Sequence, residues 1–169
     1  MAHWIGRLIR HRLLDARDAH RLLGREALKR IEARVAASEA RHSGEIRVVV
    51  EAGLPLSYLR RGATPRERAI ALFGKLRVWD TERNNGVLVY LLLAERAIEI
   101  VADRGVDAHV PAAEWTQIAA TMQDAFRARD FEGGLLRAVD AVDALLVRHF
   151  ARAPGSADRN ELPDAPLLR

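Results

Sequence analysis

The clearest apolar pattern in the chain predicts a β-hairpin near its middle. Residues 87–93 form a nearly continuous apolar run that is too short for a typical helix and rich in Val, Leu and Tyr. Such a run is typical of a strand that is buried on both faces. Residues 97–101 alternate, with Ile98 and Ile100 on one face and Glu99 on the other. The connection is short, so the two strands are predicted to pair antiparallel.

A third strand and a helix precede this hairpin. Residues 45–51 are dense in β-branched side chains, which favours a strand. Thr64, Pro65 and Glu67 combine an N-cap, a proline at the first helical position and a capping-box glutamate, so a helix is predicted to begin there. The order of strand, helix and strand predicts a β-α-β unit with parallel strands. The starts of strands 45–51 and 87–93 should then lie at one edge of the sheet.

Apolar residues at helical spacing predict further helices around this unit. One covers residues 15–42, with a buried stripe that includes Ser38. Another opens at Pro111 or Ala112, and the last is capped by Asp130. The fold class predicted is therefore α/β, an α+β sandwich. Its small mixed sheet contains one β-α-β unit and a hairpin, and helices flank both faces.

Composition divides the chain into three parts. Residues 1–14 form a short basic amphipathic segment, and residues 15–151 form the domain. Residues 152–169 combine prolines, a glycine and scattered charge, which predicts a disordered tail. The sequence has no apolar run near the roughly 18 residues that a membrane helix needs. It also lacks the pattern of a secretory signal. We therefore expect a cytoplasmic protein, with a peripheral position at the inner membrane as an extension of that expectation.

The charge of the chain is modestly basic, with 27 Lys and Arg against 23 Asp and Glu. Basic residues alternate with acidic ones along the predicted helices, so we expect no nucleic-acid partner. Residues 1–14 can dock on the domain, pair with a partner helix or lie on an anionic membrane. We expect a protein partner for them, with a membrane complex or an anionic membrane surface as the alternative. The absence of cysteine excludes disulfides and thiolate chemistry.

Oxygen-bearing side chains gather where the three strands are predicted to meet. Carboxylates, amides and carbonyls on loops are the ligands that Ca²⁺ and, with fewer protein donors, Mg²⁺ prefer. The candidate metal ligands are Glu45, Asp80, Asn84, Asn85, Asp103 and Asp107. The alternative is structural. In that case the two asparagines build the turn, Asp80 caps a helix, and Asp103 pairs with Arg104 or Arg83.

A catalytic use of the same edge is a second hypothesis. No nucleophile motif is visible in the sequence. A bound cation could still activate water for phosphomonoester hydrolysis, with Asp103 or Asp107 as the general base. Arg83 or Arg104 would then bind the phosphate. Among the histidines, His109 is the one expected near this edge.

Four motifs resemble the TPM domain family, which includes a thylakoid-lumen acid phosphatase and bacterial YgcG-like proteins. They are SGEIRVVV, NNGVLVYLLL, AERAIEIVADRGVD and FRARDFEGGLLRAVDAV. The resemblance covers roughly residues 15–150. It implies a small sheet between helices, a divalent cation at acidic loops, often Ca²⁺, and a phosphatase activity that is not general to the family. The family motif falls on Glu45, on residues 84–86 and on residues 105–107.

The chain departs from its relatives at the turn itself. Asn84 stands where relatives often have Asp, and residues 80–83 replace a glycine-rich approach and bring Arg83. Both departures lower the negative charge of the site. We therefore expect a non-catalytic interaction module with a divalent-cation site around residues 84–85 and 103–107. A metal-dependent acid phosphatase is the alternative.

Overall fold

The structure is a computed structural model that describes residues 2–153 and 160–169. Its helices are α1 Ala2–Arg12, α2 Ala16–Glu39, α3 Leu56–Arg60, α4 Pro65–Lys75, α5 Arg104–Asp107, α6 Ala112–Arg127 and α7 Phe131–Phe150. Its strands are β1 Glu45–Glu51, β2 Gly86–Leu92, β3 Ala97–Ala102 and β4 Leu167–Leu168. A short 3₁₀ turn, Leu93–Glu95, joins β2 to β3.

The four strands form one mixed sheet in the order β3-β2-β1-β4. Strands β1 and β2 are parallel, with Glu45 opposite Gly86. Strands β2 and β3 are antiparallel, with Val87 opposite Ala102. The predicted β-α-β unit and hairpin are therefore confirmed, and their register places the starts of β1 and β2 beside the end of β3.

Helices cover both faces of the sheet, as the continuous apolar runs require. Val48 and Val50 face a core built with α2, α6 and α7. Val49, Leu88 and Tyr90 face a second core built with α3 and α4. Every residue of β1 and β2 is buried. This explains why neither strand shows an alternation of apolar and polar positions.

Several local predictions differ from the structure. Helix α2 is interrupted at Gly24, whose φ of 73° and ψ of 159° leave the helical region. Ile70 in α4 and Trp79 after it continue the apolar spacing of that helix, which predicts burial, but their exposed fractions are 52% and 50%. His42, at the end of the segment predicted as the first long helix, has a side chain that favours solvent, but it is fully buried. These two differences depend on which face of an element finds a partner, which spacing alone does not specify.

The prediction of a disordered tail is wrong for residues 160–169. This segment lies along the outer edge of β1, where Leu167 and Leu168 pair with Val49 and Val50. The pairing is a tertiary contact, and the local composition of the segment carries no signal of it. Residues 154–159 lie outside the described part of the chain.

Helix α1 docks on the domain through one face. His11 is buried, with 3% of its surface exposed. Its ring Nδ1 accepts the Leu54 N–H at 2.9 Å, and its Nε2 lies 2.8 Å from a carboxylate oxygen of Glu95. Arg7 donates to the same carboxylate and to the Ala63 carbonyl. Helix α1 is therefore anchored by buried and half-buried polar contacts. Within the described residues, no helix is long and apolar enough to cross a bilayer.

Candidate functional site at the Gly86 edge of the sheet

The three predicted loop segments converge at the start of β2. The Asp103 N–H donates to the Gly86 carbonyl at 2.8 Å, and the Glu45 N–H donates to the Asn85 carbonyl at 3.4 Å. The turn before β2 therefore lies between the start of β1 and the end of β3. The convergence predicted from the strand order is confirmed.

Close backbone approaches fix this edge. A Cβ on Gly86 would lie 1.9 Å from the Val78 carbonyl oxygen, and one on Gly105 would lie 2.4 Å from the Asn84 carbonyl oxygen. Both positions therefore need glycine. Asn84 itself has a φ of 52°, a left-handed conformation that asparagine tolerates better than most residues.

Asn85 is buried at the centre of the edge, with 1% of its surface exposed. Its side-chain amide donates to the Ser43 carbonyl at 2.9 Å. Its backbone N–H donates to the Thr81 hydroxyl at 3.0 Å. The amide oxygen, Oδ1, has no hydrogen-bond partner among the described residues. A buried acceptor without a partner is uncommon, and it suggests a place for a ligand atom or a water.

Asp103 is the second buried oxygen donor of the edge, with 8% of its surface exposed. Oδ1 accepts the Arg104 N–H at 2.7 Å and so caps α5. Oδ2 is buried and lacks a partner within residues 2–153 and 160–169. Asn85 precedes Gly86 in the chain, and the Asp103 N–H donates to the Gly86 carbonyl. Among the described residues, this edge therefore has two buried side-chain oxygens without a hydrogen-bond partner, one from an amide and one from a carboxyl group.

The other four predicted ligands have different contacts. Glu45 accepts the N–H groups of Glu161 and Leu162, at 3.2 and 3.1 Å. Asp80 forms an ion pair with Arg77. The remaining two are Asn84, which accepts from Arg104, and Asp107, which lines a groove of about 350 Å³ beside α6.

The two arginines proposed to bind phosphate are also engaged. Arg83 donates to the Ser43 hydroxyl at 3.3 Å. Arg104 donates to Asn84 Oδ1 through two nitrogens, at 3.2 and 3.0 Å. Both side chains are exposed. They brace the loops that border the edge, and an incoming phosphate would have to replace these contacts.

A buried polar network supports the loop that Asn85 contacts. His42 Nδ1 accepts the Gly44 N–H at 3.2 Å, so Nε2 carries the proton and donates to Ser38 Oγ at 2.8 Å. Ser38 donates in turn to Asp143 at 2.9 Å. His42 donates to the serine oxygen and so cannot accept a proton from it, which excludes activation of Ser38 as a nucleophile by this histidine. The three residues instead position the loop. Sequence reasoning missed the network, although Ser38 within an apolar stripe was its signal.

The ring contacts of His109 are with residues at the end of α7. Its ring stacks on His149, with centroids 5.3 Å apart, and meets Phe150 edge-on. These contacts explain the residue as part of the packing between the loop after α5 and the end of α7.

The oxygen donors of the Gly86 edge match in part the cation that the resemblance implies. A carboxylate and an amide oxygen are suitable ligands for a hard cation. Asp103 and Asn85 therefore fit in chemical type. The part of the chain that the structure describes contains no group of three or more His, Cys, Asp or Glu placed to hold a metal. A cation here would take its remaining ligands from backbone carbonyls and water.

The outward face of α1 is a second candidate surface. Ile5, Ile9 and Leu13 follow one another at intervals of four residues, with exposed fractions of 49%, 52% and 75%. Arg10 and Arg12 are exposed beside them. The opposite face is held by His11 and Arg7, as described above, so this apolar stripe points away from the domain.

Comparison with known proteins agrees with the fold. The TPM domain model matches residues 16–145. The BA42 protein from the psychrophilic bacterium Bizionia argentinensis is 26% identical, with a TM-score of 0.72 over 84% of this chain and 92% of that chain.

Two further solved structures share the fold at lower identity. An N-terminal domain from P. gingivalis is 22% identical, with a TM-score of 0.63 over 78% of this chain and 83% of that one. An N-terminal domain from Corynebacterium glutamicum is 15% identical, with a TM-score of 0.55 over 82% and 81%. No curated protein matches the chain. Since the family model spans most of the sequence, this chain belongs to the TPM domain family.

Proposed function

We propose that this TPM domain is a non-catalytic interaction module that binds a protein partner through the outward face of α1. The observation that carries the proposal is the exposed apolar stripe of Ile5 and Ile9 on α1 and Leu13 directly after it, while the other face of α1 is fixed to the domain. Apolar residues one turn apart are the anchors by which a helix enters a groove on a partner.

The way α1 is held favours a protein partner. Because His11 and Arg7 fix the helix, binding would not require the helix to order first, which lowers the entropic cost. Arg10 and Arg12 flank the stripe, so the complementary groove would have an acidic rim. Membrane binding scales with buried apolar area, and three exposed side chains on an anchored helix offer little of it.

The Gly86 edge supports a second part of the proposal, a weakly held divalent cation, Ca²⁺ or Mg²⁺. Asp103 and Asn85 would be its side-chain ligands, because each has a buried oxygen without a partner in the described residues. Bound there, the cation would supply positive charge that offsets the buried carboxylate. Two side-chain donors predict low affinity compared with sites that have several carboxylates.

Catalysis is not favoured by the contacts of the candidate residues. One oxygen of Asp103 caps α5, and the candidate phosphate ligands Arg83 and Arg104 contact Ser43 and Asn84. Asp107 is the remaining candidate base, and it lines a groove with Trp115. A metal-dependent phosphatase would therefore need these groups to rearrange before substrate binds.

The partner proposal is tested by crosslinking in cells. A photoreactive residue at position 9 should give an adduct with one discrete protein. The same residue at position 70, which has an equal exposed fraction of 52%, should not. Changing Ile5 and Leu13 to Asp should abolish the adduct. Equal adducts from both positions, or none, would contradict the proposal. Binding of the purified protein to anionic phospholipid vesicles that requires Ile5 and Leu13 would favour a membrane instead.

The cation proposal is tested by titrating Ca²⁺ and Mg²⁺ while amide NMR signals are recorded. Signals of residues 84–86 and 103–107 should shift, and Asp103→Asn should remove the response. Asparagine retains the helix cap, so the variant should stay folded. Unchanged spectra would refute the cation site. Metal-dependent hydrolysis of p-nitrophenyl phosphate that Asp103→Asn abolishes would refute the non-catalytic assignment.

A further inference from the structure

Residues 160–169 occupy a groove on the outer edge of β1 whose polar side chains contact the main chain of the segment. Glu45 accepts the N–H groups of residues 161 and 162. Arg47 donates to the carbonyls of Pro163 and Ala165, both at 2.6 Å. Contacts of this kind recognise an extended backbone and do not depend on the side chains of the peptide.

Sheet pairing continues these contacts toward the end of the segment. The Arg169 N–H donates to the Val50 carbonyl at 2.9 Å, and the Ala52 N–H donates to the Arg169 carbonyl at 2.8 Å. The segment thus adds a parallel strand to β1. Addition of a peptide strand to an exposed sheet edge is a common mode of peptide recognition.

Leucines supply the side-chain part of the fit. Leu162 is buried with 8% of its surface exposed, in the core that faces α3 and α4. Leu167 packs against the same core, whereas Leu168 packs against the core on the other face. A ligand of this groove therefore needs an apolar side chain early in its sequence and two consecutive ones five and six positions later.

The region matched by the family model contains β1 but not the segment that fills the groove. The family model ends at residue 145, and the three strands it contains leave β1 at the edge of the sheet. An unpaired edge strand is a ready template for another chain. Glu45 and Arg47 are 2% and 8% exposed beneath the segment, and both would return to water if it left. Departure would therefore not strand a buried charge.

A buried carboxyl group, that of Glu39, borders the docked segment. Glu39 accepts the Ile46 N–H at 2.8 Å, and its carboxyl group also faces those of Glu45 and Asp164. Burial, with these two neighbours, raises the pKa of Glu39 to about 9, although the Ile46 N–H opposes the rise. Glu39, Glu45 and Asp164 line a pocket together with Arg152, whose guanidinium donates to the backbone carbonyl of Glu39. A pKa this far above the usual range leaves Glu39 protonated at neutral pH, so it does not repel the Asp164 carboxylate.

From these contacts we infer that the outer edge of β1, with Glu45 and Arg47, is a binding site for extended peptides that carry leucines at the spacing of Leu162, Leu167 and Leu168. Residues 160–169 fill this site in cis, and a peptide with the same spacing replaces them in trans. This site lies on a different element from the α1 surface and goes beyond the proposed function.

The test uses the full chain and a labelled synthetic peptide of residues 160–169, with binding followed by fluorescence polarisation. In the loosened variant Leu162→Asp, Leu168→Asp, the cis segment no longer competes. This variant should bind the peptide about tenfold more tightly than the unmodified chain, because the fraction of open sites rises. A matched control, Leu22→Asp, Ile70→Asp, changes two exposed apolar residues and should bind like the unmodified chain.

Two further arms examine how the peptide is recognised. A peptide of the same composition in scrambled order should not bind. Hydrogen exchange at the Ala52 amide should speed up in the loosened variant and slow again when peptide is added.

The outcomes separate an exchangeable segment from an integral strand. A loosened variant that stays folded but does not bind the peptide would overturn the inference. Loss of protection at the β2 amides would also overturn it, because the segment would then be a permanent part of the sheet. Equal binding of the scrambled peptide would show nonspecific contact and likewise overturn it.

Discussion

The two terminal segments of this domain are attached by different kinds of contact. At the amino-terminal end, α1 is held by the side chains of His11 and Arg7, which contact Leu54, Glu95 and Ala63. At the other end, residues 160–169 are held largely through their main chain. Side-chain docking depends on particular residues of the docked segment, whereas main-chain docking accepts many sequences.

This difference predicts different behaviour for the two segments. Helix α1 should remain seated and present its outward stripe as a fixed surface. Residues 160–169 should leave and return, because a related peptide can form the same bonds. Substitutions that unseat α1 should therefore cost more stability than substitutions that release residues 160–169.

Gly53→Ala should unseat α1 and have the largest effect. The new Cβ would lie 2.4 Å from the His11 carbonyl oxygen, so the helix or the loop must shift. We expect the free energy of unfolding, measured in urea, to fall by about 3 kcal/mol. Gly74→Ala is the matched control, since nothing lies within 4 Å of its added Cβ. Equal stability of the two variants would show that α1 is not tightly seated.

His11→Ala should cost about 2 kcal/mol, because the Leu54 N–H loses its acceptor and Glu95 loses a partner. Denaturant unfolding measures the loss, and faster hydrogen exchange at Leu54 locates it. His20→Ala, at an exposed position of α2, should leave both quantities unchanged. A His11 variant that matches the His20 variant would argue against side-chain docking of α1.

Leu162→Ala should cost about 1 kcal/mol, less than the roughly 2–5 kcal/mol typical of buried leucine. The loss is limited because the segment can leave its groove, after which the substitution has no further effect. Leu13→Ala, at 75% exposure, serves as the control in the same urea titration. A loss near the upper end of that range would mean that residues 160–169 are integral to the domain.

Acid should weaken the docking of α1, with a smaller effect on stability than the three substitutions above. The bond from His11 and those from Arg7 lower the pKa of Glu95, although burial opposes them. Because the pKa of Glu95 is lower in the folded state, its ionised carboxylate stabilises the fold fully at pH values above its ordinary pKa of 4.5. This stabilisation is lost as the pH falls below 4.5 and through the folded-state pKa. Protection of the Leu54 amide should therefore decline below pH 4.5. Glu95→Gln should remove this decline, and a decline that persists would assign it to other groups.

The candidate site was predictable only where strand order decides position. Parallel pairing of β1 with β2 and the hairpin to β3 are enough to place Asn85 and Asp103 beside Gly86. The direction of each side chain depends on neighbours from distant parts of the chain. Glu45 illustrates this, because its carboxylate accepts the N–H groups of residues 161 and 162, more than a hundred positions away.

The sequence by itself determined the sheet, the helices around it and the family, because apolar periodicity and capping residues act locally. Tertiary structure alone decided that Ser38, His42 and Asp143 form one buried network, and that residues 160–169 become a strand. The bond of Ser38 to Asp143 and the pairing of Val49 with Leu167 join residues more than a hundred positions apart. A local pattern in the sequence cannot specify which distant group each of these residues contacts. That choice is made only when the chain folds.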